Sequence, residues 1–97
     1  MATFISLTSF TDQGIRSVKD TTKRADAVRE LSKKFGVTVK DLYWTLGSCD
    51  VVGIFEAPDD AAMTAFGLAI GQGGNVRTQT LRAFSQAEMG DILKKLG

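Results

Sequence analysis

Ninety-seven residues, 43% hydrophobic and 24% charged, make a single ordinary globular domain, residues 1–97, and 12 basic against 11 acidic side chains leave a net charge of +1, which speaks against a nucleic-acid partner. Histidine, the commonest general base and metal ligand, is absent, and the lone cysteine excludes an intramolecular disulfide and suits a reducing compartment. The apolar runs are far too short to span a membrane and MATFISLTSF lacks the basic start of a signal peptide, so a cytoplasmic protein with no membrane partner is expected.

Thr3 to Thr8 sets Ile5 and Leu7 against Phe4, Ser6 and Thr8, the period of a strand. Thr11 or Asp12 offers an N-cap, after which Ile15, Val18, Ala25, Val28, Leu31 and Phe35 recur at helical spacing. The polar segment from Lys19 to Lys23 predicts a bend or break near Thr21 and Thr22, and Gly36 is a C-terminal stop. Val37 to Leu46 reads as a second strand with an irregular start; Leu42, Trp44 and Leu46 share one face, Tyr43 and Thr45 the other. Gly47, Ser48, Cys49 and Asp50 form a hairpin break. The third strand, Asp50 to Ala57, is apolar on both faces, as a central strand is. Pro58 ends it, and Asp59 or Asp60 caps a helix with the stripe Ala62, Met63, Phe66, Ala69 and Ile70. A glycine-rich turn leads to a fourth strand, Val76 to Phe84, with many polar positions. Ser85 and Glu88 make a capping box for a last helix with Met89, Ile92, Leu93 and Leu96 on one face.

The order βαββαβ plus a helix is that of an α+β, ferredoxin-like fold, with two helices on one face of a four-stranded antiparallel sheet. The other face is expected to be bare in the monomer and to carry Phe4, Tyr43, Thr45, Val51 and Phe55 with part of the fourth strand. Apolar area left in water costs about 25 cal/mol per Å², so burial against a second copy is expected.

Six blocks spread over the chain add to this reading: Gly14-Ile15-Arg16, Tyr43-Trp44-Thr45-Leu46-Gly47, Asp50-Val51-Val52, Glu56-Ala57-Pro58-Asp59-Asp60, Gly74-Asn75-Val76-Arg77-Thr78 and Thr80-Leu81-Arg82-Ala83-Phe84. Together they resemble the GYD domain, a largely prokaryotic single-domain family without an established activity. The resemblance implies a fold of the dimeric α/β-barrel type, in which two sheets pack face to face. The position before Asp50, where that family favours tyrosine, is Cys49 here, so a role resting on that phenol does not carry over.

For a ligand site the candidates are Tyr43, Asp50, Thr78, Thr80 and Arg82. Leu81 and Ala83 suit the helix-covered side, which assigns Arg77 to that side and Thr78, Thr80 and Arg82 to the open face near Tyr43. A guanidinium beside hydroxyls selects a small carboxylate or phosphate; the competing reading is an inter-subunit ion pair or a solvated edge strand. Asp50 is either a turn residue accepting backbone N–H groups or a substrate-contacting acid. Trp44 is expected in the core. The glycines at 71, 73 and 74 follow a helix C-terminus, where phosphate does not bind. Cys49 has no histidine partner. No metal site and no cofactor are expected.

Two functional classes remain, with RNA binding a minor third. One is an oligomeric small-ligand-binding or regulatory module with an anion-accepting inter-sheet cleft. The other is a cofactor-independent isomerase, lyase or oxygenase of a small organic acid, with Asp50 or Glu56 as base and Arg82 with Tyr43 as anion clamp.

Overall fold

The first strand's alternation produces a strand longer than its clearest period. In a computed structural model, which describes residues 1–97, β1 runs over Ala2–Phe10 and lies in the middle of the sheet. Thr11 caps the short helix α1 (Asp12–Arg16) by accepting from the Gly14 N–H at 3.1 Å. The expected break is present but earlier: a 3-10 turn over Val18–Asp20 interrupts the helix, and Thr21 already opens α2 (Thr21–Ser32). Ile15 and Val18 fall on the interrupted side and are exposed, whereas Val28, Leu31 and Phe35 pack on the core. Gly36 closes this region in the left-handed conformation at φ 67°.

β2 (Thr38–Trp44) pairs with β3 (Val51–Ala57), and the irregular start is a β-bulge between Val39 and Asp41. The bulge lets Val39 and Leu42 share a face, because the extra residue resets the alternation. Asp59 caps α3 (Asp60–Gln72), β4 spans Val76–Ala83, and the capping box of Ser85 and Glu88 opens α4 (Gln86–Leu93). The strand order is β2-β3-β1-β4, antiparallel throughout, which is the ferredoxin-like arrangement. The sheet is open.

Register assigns the faces. Val39, Phe55, Phe4 and Arg82 oppose one another in one row; Leu42, Gly53, Ser6 and Thr80 form the next. These rows lie under the helices: Phe4 and Phe55 are buried with Val37, Ala57, Met63 and Phe66. Phe66 of α3 is fully buried, with its ring 5.6 Å from Phe55 and 6.0 Å from Phe35. The intervening rows, Tyr43–Val52–Leu7–Gln79 and Asp41–Ile54–Ile5–Leu81, face away from the helices. The faces expected from the sequence are therefore corrected. Phe4, Val51 and Phe55 belong to the helix side, and Ile5, Leu7, Val52 and Ile54 occupy the open side. Phe55 takes the helix side by packing its ring on Phe66, and Phe4 joins the same buried cluster. No helix is long and apolar enough to cross a membrane.

Candidate functional site

The open face holds the first candidate surface. Ile5 and Leu7 of β1 face Ile54 and Val52 of β3, and Tyr43 and Leu81 flank them from the two edge strands. All six side chains are at least partly exposed; Tyr43 retains 57% of its accessible surface. Glu56 and Lys40 make an ion pair of 3.4 Å at the rim. An apolar centre with a charged rim is the anatomy of a protein interface.

The five residues expected to line one ligand site do not converge. Tyr43 is on the open face. Thr78, Thr80 and Arg82 lie on the helix side of β4, where all three line a cleft of about 400 Å³ beside α3, with Asp60 and Leu68. The assignment of Arg82 to the open face and Arg77 to the helix face is thus reversed: Arg77 pairs with Ser9 on the open side. Arg82 is also heavily engaged. Its guanidinium donates to the carbonyls of Thr3 and Ala83, lies between the rings of Phe4 and Phe84 at 5.6 and 4.5 Å, and sits 3.6 Å from the Glu88 carboxylate. Its geometry clamps the start of α4 to the sheet.

Asp50 is equally committed. Its Oδ2 accepts from the Phe10 N–H at 2.8 Å, while its own N–H donates to the Thr8 carbonyl at 2.8 Å. The carboxylate thereby ties the hairpin turn to the end of β1. Glu56, the other candidate base, is held by Lys40. Trp44, expected in the core, keeps 46% of its surface exposed. β2 is an edge strand, and the indole Nε1–H donates to Thr21 Oγ1 at the start of α2, 3.0 Å away.

One carboxyl is displaced from its usual range. The Ser85 backbone N–H, aided by the Ser85 hydroxyl and Arg82, holds the Glu88 carboxyl below the ordinary carboxylate value. The cause is a helix cap.

Sequence reasoning missed two groups. The Ile5–Leu7 alternation did signal the open face but was outweighed by the aromatic residues beside it. Arg24 had no signal in the sequence. Its Nη1 donates to the Ser17 carbonyl and hydroxyl at 3.0 and 3.1 Å, its Nη2 to the Gly14 carbonyl at 3.2 Å, and the guanidinium lies 5.9 Å from the Phe10 ring centre.

Comparison with known proteins agrees with the resemblance carried by the sequence blocks. The family model of the GYD domain matches residues 4–93, and the chain belongs to that family. It is 37% identical over 90 residues to a protein of Thermus thermophilus described as "Glutamine synthetase and cystathionine beta-lyase binding protein". That match covers 92% of this chain and 95% of the relative.

Proposed function

We propose that this GYD-domain protein is a homo-oligomeric regulatory module that binds a partner enzyme. The observation that carries the reading is the uncovered apolar face of Ile5, Leu7, Tyr43, Val52, Ile54 and Leu81. Only ten of the 97 residues are buried in the single chain, so much apolar surface still awaits a cover. A second copy applied face to face matches these rows to themselves and removes them from water. Fully burying one exposed Val, Leu or Ile side chain contributes about 1.5–3 kcal/mol; five such side chains per copy, four of them already half-buried, each add a part of that, and Tyr43 adds its ring.

After that pairing the outer helical side remains free. It exposes Leu68 of α3, and this is the surface assigned to a partner protein. The description of the Thermus relative as a binding protein for two enzymes supports the same reading. Tyr43 then serves the contact between copies, and the Arg82 cleft is secondary as an anion site because its guanidinium is already engaged.

Two measurements test the proposal. Sedimentation velocity at micromolar concentration should give no folded monomer. Biolayer interferometry against purified glutamine synthetase and cystathionine β-lyase of the source organism should show saturable binding to at least one. A stable monomer that binds neither would falsify the reading.

A further inference from the structure

On the helix side of the sheet, α2 and α3 touch only sparingly. A groove of about 270 Å³ remains between them, walled by Val28 and Leu31 of α2 and by Ala69 and Ile70 of α3. Well-packed interiors hold few voids larger than a water molecule, and an apolar cavity of about 150 Å³ takes up benzene. This groove has room for more than one ring.

Local residues keep its floor open. A Cβ on Gly53 would collide with Phe55 Cε2, so the Phe55 ring lies over a position that only glycine leaves free. Ser6 and Thr8 continue the floor with small side chains, their hydroxyls 3.3 Å apart. Larger apolar residues at Gly53 and Ser6 would have filled the space in the ordinary way.

The charge in the groove is one-sided. Arg24 lines it and is half-buried, no acidic residue lines it, and Arg24 belongs to none of the ion pairs of the chain. Its three hydrogen bonds go to two carbonyls and a hydroxyl, all neutral. A guanidinium carries five N–H donors, so donors remain for an incoming group. A partly desolvated cation facing apolar walls without an anion is electrostatically unsatisfied.

We propose that the groove between α2, α3 and the sheet binds a small monocarboxylate with an apolar body, its carboxylate at Arg24 and its body between Val28, Leu31 and Ile70. The carboxylate class expected at Arg82 from the sequence thus has its place at a different arginine. The proposal does not rest on pairing through the open face, which lies on the opposite side of the sheet.

Trp44, the only tryptophan of the chain, lines the same groove and provides the readout. Titration with octanoate should shift and saturate Trp44 emission. 1-Octanol should bind about tenfold or more weakly, because it lacks the charge-assisted hydrogen bond, and acetate should be silent. Arg24→Gln should lower octanoate affinity to that of octanol. Ala69→Phe should fill the groove and abolish both, with the sedimentation coefficient unchanged. Equal affinity for octanoate and octanol in the native protein overturns the proposal. So does a native protein silent to octanoate, or an Ala69→Phe variant that binds as the native chain does. Should Arg24→Gln fail to fold by circular dichroism, the acid–alcohol comparison and Ala69→Phe decide the question.

Discussion

Replacing Gly14 with alanine tests how the end of β1 is joined to the turn between α3 and β4. Gly14 is buried, and an added Cβ would stand 1.9 Å from the carbonyl oxygen of Asn75, where real Cβ contacts essentially never fall under 3.0 Å. The obstacle is backbone, so the two segments must part by about 1.1 Å. That stretches the 3.0 Å bond from the Thr11 N–H to the Asn75 carbonyl, and the 3.1 and 3.0 Å bonds from Gln13 Nε2 to Gly73 and Asn75, beyond useful range. Three bonds at about 1 kcal/mol each are offset by about 1 kcal/mol from the better helix propensity of alanine. The net loss is about 2 kcal/mol, or roughly 10 °C in Tm for a domain of this size. Urea unfolding followed by far-UV circular dichroism measures it. Gly90→Ala, which meets open space in α4, is the control and should be neutral or slightly stabilising. If Gly14→Ala lies within about 0.5 kcal/mol of the native protein, the close approach of these backbones is wrong.

Ile54→Lys places a charge at the middle of the open face, opposite Ile5, and should yield a folded monomer by light scattering; an intact oligomer would move the contact elsewhere. Cys49→Ser should change stability by less than about 0.5 kcal/mol, because a hydroxyl keeps the polar contact that the thiol makes with Thr45 Oγ1 at 3.7 Å; a larger shift in a urea titration would refute this. Glu88 titrates below its usual value in the folded chain, so its contribution to the α4 cap is present at neutral pH. It is lost as pH falls from the ordinary carboxylate range through the depressed folded value. The stability gap between the native chain and Glu88→Gln should therefore narrow on acidification, and a gap that widens contradicts the cap.

The elements were legible because each had a local signal. Thr11, Asp59 and Ser85 all cap the helices they precede, and Gly36 ends one. The side of the sheet that each strand face meets was not legible. β1 and β3 carry apolar residues on both faces, so period two defines two rows without saying which lies under the helices. That choice is made where Phe66 of α3 packs on Phe55 in the cluster that also holds Phe4, a meeting of distant parts of the chain. β4 misled for a related reason. It is an edge strand with almost all of its residues exposed, and an edge covered by little tolerates polar groups on both sides. Asp50 was read correctly as a turn residue in one of its two alternatives, yet its bond to Phe10, forty positions away, had no trace in local sequence.

The last helix behaves differently from everything before it. α4 contributes no buried residue and is fastened by its own cap and by the Arg82 clamp. Its opening therefore exposes little new surface and proceeds without disturbing Phe66 or the central strands. The chain should therefore behave as two cooperative units of very different size: a sandwich that melts as one, and a tail that unlatches on its own at small free-energy cost. Amide exchange should separate them, fast over residues 86–96 and slow in β1 and β3. Urea sensitivity, which scales with area exposed, belongs almost wholly to the sandwich.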